Sequence, residues 1–330
     1  MAASCTLARL LLICAAPLAS SFMSNWKPPS VSDFVQRREA EGKFGDKKLV
    51  VVTGTSSGLG RKTARALLNT GRYVVRSAAD SLGTSCPPCL RDLLICCSLS
   101  RSHRYHVVGA VRDLDKMEVV AELDGFSADL FTPMHVELNS FESVRDFCRE
   151  LNLWKSGKPI DRLICNAAVY QPSLDYAKWS VDGHEQQMQI NYLSHFLLTS
   201  LLLEDISRAP DPRVIFVGSV TGNDNTVGGG GVYPIADLKQ LDGLKAGARN
   251  PISMFDGYNF DGAKGYKDSK LCLMMTSNLL HDFYHKQTGI GERGLPAARS
   301  LSSHGAGRRR DNSKPTLHAT IAYRLSNRLR

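Results

Sequence analysis

The chain predicts an α/β fold built on a doubly wound parallel sheet, and three observations lead there. A β-branched run, Leu49 to Thr53, opens directly into a Gly/Ser-rich turn. The periodic apolar segment Arg61 to Leu68 follows it. Short apolar runs and helical patterns then alternate as far as residue 290. Strand, glycine turn and helix in this order is the opening of a phosphate-cradling sheet, and continued alternation places helices on both faces of parallel strands.

Taken in order, further strands are expected at His106 to Val111, Met134 to Leu138, Arg162 to Cys165 and Arg213 to Val217. Helices are expected at Ser140 to Leu151, Asn191 to Leu203 and Tyr266 to Tyr284. With 43% hydrophobic and 22% charged residues among 330, one core is well within the chain's means. The elements fall in residues 48–290, after a polar linker at 31–47.

Two stretches break the alternation. Residues 74–105 are rich in Ser, Cys and Arg, lack a sustained period and are expected to be an unstructured insert. The pair Arg72-Tyr73 recurs as Arg104-Tyr105, so setting the block aside leaves a clean turn into the strand at His106. The block is either a translated intron or a surface insertion of the kind a fold tolerates entropically. After Ile290 composition turns to Gly, Arg, Ser and Pro, which predicts a disordered basic tail over 291–330. A short strand at Leu317 to Tyr323 is the one element that pattern admits; otherwise the sheet is expected to be incomplete at its C-terminal edge.

The formal charge of +9 does not mark a nucleic-acid binder. Residues 291–330 hold nine Lys/Arg against Glu292 and Asp311, and residues 74–105 hold four Arg against Asp80 and Asp92, which accounts for all of it. Arg308 to Arg310 therefore read as solvated tail, and no nucleic-acid partner is expected. Cys86, Cys89, Cys96 and Cys97 match neither a disulfide framework nor zinc-ribbon spacing, so no metal is expected. Cys148, Cys165 and Cys272 read as small packed residues. Residues 1–30 have a leader's layout, with Arg9, an apolar run from Leu10 to Ala16, then Ala19, Ser20, Ser21 and Phe22. The run is too short to span a bilayer. It reads as a plastid address or as an ordinary signal peptide.

The turn Gly54, Thr55, Ser56, Ser57, Gly58, Leu59, Gly60 puts glycines where backbone must approach a pyrophosphate and offers it the N–H groups of the next helix. Cofactor choice is read about 20 residues beyond such a turn. Gly60 to Arg112 is 52 positions, and 20 with the 32-residue block set aside. Arg112 thus stands where an arginine accommodates a 2′-phosphate, which argues for NADPH; Glu137 is placed to accept from the adenine amine. Tyr266 and Lys270, four apart, share a helix face. A phenol with a reference pKa of about 10 is a poor acid at neutral pH, and a neighbouring ammonium favours its ionised form.

Thr53 to Gly60, Asn166-Ala-Ala168, Asn191, Ser219, Tyr266 and Lys270 together resemble the motif set of the short-chain dehydrogenase/reductase family, in the family's order. The resemblance implies a Rossmann-type sheet, Tyr266 as proton donor, Lys270 tuning it and holding the nicotinamide ribose, and Ser219 orienting substrate. It implies that Asn191 holds a water in a proton relay and that Asn166 supports the sheet beside the adenosine. Tyr170 and His195 are further candidates for the substrate side.

Ser219 precedes Tyr266 by 47 residues, against about a dozen in ordinary members. That insertion, with Val217-Gly-Ser-Val-Thr-Gly-Asn223, Asn191-Tyr-Leu-Ser-His-Phe-Leu-Leu198 and the run Asn259 to Lys270, is similar to the light-dependent protochlorophyllide reductase branch. The branch implies NADPH, protochlorophyllide as pigment substrate, a plastid location with membrane association, and oligomers. The similarity covers roughly residues 46–73 and 106–290; the strands and substrate-covering segment that follow in the family have no counterpart after Ile290, so reduced or absent activity is expected. The competing readings are a generic carbonyl reductase of the same fold, separable by light dependence, and a non-catalytic nucleotide or nucleic-acid binder.

Overall fold

The computed structural model describes residues 42–76, 98–222, 230–287 and 318–324. They fall into two compact units, one within Pro29–Glu137 and Asp146–Lys158, the other within Leu138–Arg145 and Pro159–Arg330.

In the first unit the order is β1 (Lys48–Thr53), α1 (Gly58–Asn69), β2 (Gly71–Arg76), β3 (Ser98–His103), β4 (Tyr105–Val111), α2 (Leu114–Asp124) and β5 (Phe131–His135), followed by the Asp146–Trp154 part of α3 (Phe141–Trp154). β4 lies between β1 and β5 and is parallel to both. Continuous apolar runs suit parallel strands covered on both faces, and Val50, Val51, Val52, Val107 and Val108 are fully buried. α2 is bounded as its sequence dictates: Asp113 accepts the Lys116 N–H, and Gly125 closes the last turn at φ 66°. Gly109 admits no side chain, since a Cβ there would sit 2.5 Å from the Phe131 ring and 2.6 Å from the Thr55 hydroxyl.

Two boundaries differ from the sequence reading. β5 begins at Phe131 rather than Met134 because the ladder to β4 runs through Pro133, which pairs with Gly109; a proline without an N–H is tolerated on an outer strand. The insert is not unstructured throughout. Its ends form an antiparallel ladder, Gly71 opposite His103 to Arg76 opposite Ser98. The reason is local to the point of departure. Arg104 donates its N–H to Thr70 and accepts from Lys48, so the chain leaves and re-enters at one place and its stems satisfy each other's backbone groups. Residues 77–97, with Cys86, Cys89, Cys96 and Cys97, lie outside the described residues.

The second unit holds β6 (Ile160–Cys165), α4 (Ser194–Ser207), β7 (Arg213–Ser219), α5 (Gly262–Gln287) and β8 (His318–Arg324). β7 runs parallel to β6 on one side and to β8 on the other. Asp205 of α4 accepts the Ile160 N–H at 3.0 Å, and the Arg162 side chain meets Asp211, so the first residues of β6 are tied down. α4 is preceded by one π-helical turn, Gln189–Leu193. β8 falls within one residue of the short strand that the sequence admitted at Leu317 to Tyr323, and it gives β7 a neighbour where an open edge was expected. The β-branched centre Thr320-Ile321 finds unpaired backbone groups along β7, and pairing runs from His318 opposite Arg213 to Arg324 opposite Ser219. The remainder of the tail, with Arg308 to Arg310, and the leader at 1–30 lie outside the described residues. Helices and parallel strands alternate in each unit, the α/β Rossmann-type architecture expected from sequence.

Cys148, Cys165 and Cys272 are buried thiols without disulfides. Among the described residues no helix is long and apolar enough to cross a membrane, and no group of His, Cys, Asp and Glu is arranged to hold a metal.

His106 packs edge-on to Phe44 with centroids 5.2 Å apart and lies 5.3 Å from Trp154, with its ring nitrogens 3.1 Å from the Asp129 carbonyl and 2.9 Å from the Thr132 hydroxyl. Burial pushes its pKa down to about 4 from 6.5. Between those values the unfolded chain takes up a proton that the folded chain refuses, so stability is full above pH 6.5 and is lost as pH falls toward 4. Denaturant unfolding across that window should show a slope smaller by about one proton in His106→Phe than in the unsubstituted chain.

Candidate active site

In the first unit the end of β1 delivers the glycine turn. Gly54, at φ 74°, donates its N–H to Ala110 at 2.8 Å, and Gly58 takes φ 55° with open space where a Cβ would stand. Both values lie in the left-handed region that only glycine enters without strain. Gly60 is buried on the inner face of α1, Ser57, Gly58 and Leu59 are exposed, and Ser56 is half-buried. Ser57 is the N-cap residue of α1, yet its side chain makes no cap hydrogen bond. The first N–H groups of a 12-residue helix therefore keep their capacity for an anion. Gly58, Arg61, Lys62 and Arg65 line a cavity of about 270 Å³ there.

Thr53 pairs with Ala110, so Arg112 emerges at the same end of this sheet as the glycine turn. Its guanidinium is 76% exposed and stands 3.8 Å from Glu137. The adjacent Asp113 is committed to capping α2, which leaves Arg112 as the residue presented for recognition. Spacing reaches this position only with the insert set aside, and β1 pairs directly with β4.

In the second unit α5 carries Tyr266 and Lys270 one turn apart. Lys270 is 2% exposed, and its ammonium donates to the Val217 carbonyl at 2.9 Å while lying 5.7 Å from the centre of the Tyr266 ring. Ser219 ends β7 two residues beyond Val217, its hydroxyl 2.8 Å from that of Thr221. Gly222 lets α5 come close: a Cβ there would stand 3.0 Å from the Lys270 Cβ and 3.1 Å from the Leu271 nitrogen. Tyr266, Lys270 and Ser219 are thus gathered where β7 meets α5.

Asn191, fully buried in the π turn, is spent on structure. Its side-chain carbonyl accepts the Val169 N–H at 2.8 Å, and its amide donates to the Val169 carbonyl at 3.0 Å and to the Ser269 hydroxyl at 3.1 Å. It clamps the loop after β6 onto α5. Asn166 lies at the mouth of β6, half-buried. Tyr170, on that clamped loop, is exposed with its ring centre 4.6 Å from that of Tyr266. His195 does not face a substrate. It is fully buried, with Nδ1 3.0 Å from the Asn191 carbonyl, and burial pushes its pKa down to about 4. Burial in turn pushes the Cys165 thiol up to about 12, which makes it inert.

Sequence reasoning missed the groups that hold the long insertion. Lys267 donates to the carbonyls of Val232 and Pro234, both at 2.6 Å. Lys264 meets Asp268 at 2.6 Å, Asp256 at 2.7 Å and the Asp237 carbonyl at 2.7 Å. Burial opposes the charge on Lys264, yet Asp268 and Asp256 hold its pKa above the ordinary value; burial pushes Asp268 up to about 6 against the pull of Lys264. The signal was present in the spacing Lys264, Lys267, Lys270, but only the fold shows that the first two face the insertion and the third faces β7. Gln187 was missed too: fully buried, it accepts from the Gln171 N–H and donates to the Gly262 carbonyl, each at 2.8 Å.

A family profile described as short chain dehydrogenase matches residues 95–235. The chain is similar, over those residues, to the short-chain dehydrogenase family. It is also similar to curated protochlorophyllide reductases. It is 38% identical over 285 residues to a chloroplastic protochlorophyllide reductase of Chlamydomonas reinhardtii, covering 85% of this chain and 61% of the relative. It is 41% identical over 264 residues to that of Cucumis sativus, covering 78% and 57%, and 41% over 245 residues to protochlorophyllide reductase A of Arabidopsis thaliana, covering 73% and 52%. The chain therefore matches 52–61% of these relatives' length.

Lys264→Met would leave the carboxylates of Asp256 and Asp268 buried without their cation. We expect a loss of about 3–5 kcal/mol of folding stability in denaturant unfolding, partly recovered in the double variant Lys264→Met/Asp268→Asn.

Proposed function

We propose that this chain is an NADPH-dependent, light-driven reductase of protochlorophyllide that works in a plastid. The observation behind the chemistry is the Lys270 ammonium, buried, tied to the end of β7 and set against the Tyr266 ring, with the Ser219 hydroxyl on the same strand end. The names of the relatives support the substrate, and the word chloroplastic in them supports the compartment. The leader-like segment at 1–30 would supply the address.

The residues of the first unit fit the cofactor. Gly58 has room for close approach, α1 begins without a side-chain cap, and Arg112 is exposed with its neighbouring carboxylate already engaged. The glycine turn and α1 would hold the pyrophosphate, Arg112 the 2′-phosphate, and Glu137 would accept from the adenine amine. In the second unit, Asn166 and Lys270 are the residues that the resemblance assigns to the adenosine and to the nicotinamide ribose. NADPH, when bound, supplies a hydride to a ring double bond of the excited pigment.

The remaining work falls to side chains of the second unit. The Tyr266 hydroxyl delivers the proton. The Lys270 ammonium, its direction fixed by the Val217 carbonyl, favours the phenolate left behind. Ser219 orients the pigment through a hydrogen bond. Tyr170 offers an exposed aromatic face next to Tyr266, suited to a flat conjugated ring.

Illumination of the chain with NADPH and protochlorophyllide should convert the pigment, and dark controls should not. Tyr266→Phe should lower the light-driven rate by about 10²-fold or more while NADPH affinity stays unchanged. Reduction in the dark, or full activity in Tyr266→Phe, would exclude the reading. Arg112→Ala should weaken NADPH binding by about tenfold and leave NADH binding as it was, measured by fluorescence titration; equal losses for both cofactors would remove Arg112 from the 2′-phosphate site.

A further inference from the structure

We propose that Thr221 is a positioning residue that turns the Ser219 hydroxyl into a hydrogen-bond donor toward the substrate; the inference rests on the reading of Ser219 given above. Ser219 and Thr221 stand at the end of β7 and in the 3₁₀ turn Val220–Gly222 that follows. The Thr221 N–H donates to the Ser219 Oγ at 3.3 Å, and the two hydroxyl oxygens are 2.8 Å apart.

A serine hydroxyl has one proton and two lone pairs. One lone pair of Ser219 already receives the Thr221 N–H. If the Thr221 hydroxyl donates as well, both lone pairs are filled and the serine can only donate outward. If instead Ser219 donates to Thr221, it can only accept from a substrate. The direction of that single 2.8 Å bond therefore sets the polarity of the site. A substrate carbonyl needs the first arrangement, since it offers only lone pairs.

The pair is held rigidly enough for this to matter. Upstream, the Val217 carbonyl is pinned by the Lys270 ammonium at 2.9 Å. Downstream, Gly222 is packed against the Lys270 Cβ and the Leu271 nitrogen. Both flanks of the pair thus refer to the same residue of α5, and the hydroxyls keep a fixed place relative to Lys270 and Tyr266. Ser219 is 6% exposed, so little water competes for its proton.

The experiment is a cycle of variants in the full 330-residue chain, read by dark titration of protochlorophyllide into the NADPH-loaded protein and by the light-driven rate. Thr221→Val keeps the shape and removes the hydroxyl; it should weaken pigment binding or slow turnover by about five- to tenfold. Thr221→Ser should restore the unsubstituted values. Ser219→Ala should be at least as damaging, and the double variant Ser219→Ala/Thr221→Val should be no worse than Ser219→Ala alone. Should Thr221→Val fold poorly, Thr221→Ala takes its place in the cycle, with the melting temperature followed throughout. A silent Thr221→Val or Thr221→Ala beside a damaging Ser219→Ala, or losses that simply add, would overturn the positioning role and leave the proposed function standing. A harmless Ser219→Ala, or no pigment binding by the unsubstituted chain, would overturn the reading of the site and this inference with it.

Discussion

The contact on which the rest depends is the one between the Lys270 ammonium and the carbonyl of Val217. An ammonium is costly to bury unless its hydrogens find acceptors, and at 2% exposure Lys270 has left water almost entirely. Holding it at the end of β7 does two things. It docks α5 against the strand whose last residue is Ser219, and it sets the ammonium 5.7 Å from the centre of the Tyr266 ring. Gly222 makes that docking sterically permissible, since any side chain there would push against the backbone of α5 at Lys270 and Leu271.

Around this contact the second unit is organised by buried polar groups rather than by apolar packing alone. Asn191 and Gln187 each bridge the loop after β6 to α5, one through Val169 and Ser269, the other through Gln171 and Gly262. Tyr170 sits between the two clamped residues, so its ring has a defined place next to Tyr266 despite being exposed. The insertion between Ser219 and Tyr266 is held the same way, by Lys264 and Lys267 reaching carbonyls and carboxylates. Half-satisfied networks of this kind are worse than none, and that is a physical reason for three lysines on one helix each to have a separate, fully specified destination.

The first unit works on a different principle. Its glycine turn and α1 are presented by backbone geometry, with Gly54 and Gly58 in left-handed conformations that glycine adopts without strain and the start of α1 left without a side-chain cap. Arg112 is exposed just beyond the end of β4 and stands 3.8 Å from Glu137, which is half-buried beyond the end of β5. A charged ligand is met there by groups that lose little on rearrangement, whereas the residues around Lys270 have no such freedom.

The α/β alternation, the glycine turn, the Arg112 position and the Tyr266/Lys270 pair were all legible in the sequence, because each rests on a short-range rule: strand period, the conformations open to glycine, spacing along a chain, and 3.6 residues per helical turn. Partners chosen across the fold were not legible. Nothing local shows that Asn191 grips Val169 and Ser269, that His195 turns inward, or that Lys264 and Lys267 serve the insertion while Lys270 serves β7. The paired ends of the insert were hidden for the same reason, and the strand at His318–Arg324 was legible as a segment but not in its pairing: a ladder is made by two segments, and only when β7 offers its unpaired backbone, or Thr70 and Lys48 meet Arg104, does the second segment have anything to bind. Sequence determined which chemical groups the chain carries and on what kind of element; tertiary structure decided which of them meet, because hydrogen bonds and ion pairs between distant segments depend on distance in space rather than on separation along the chain.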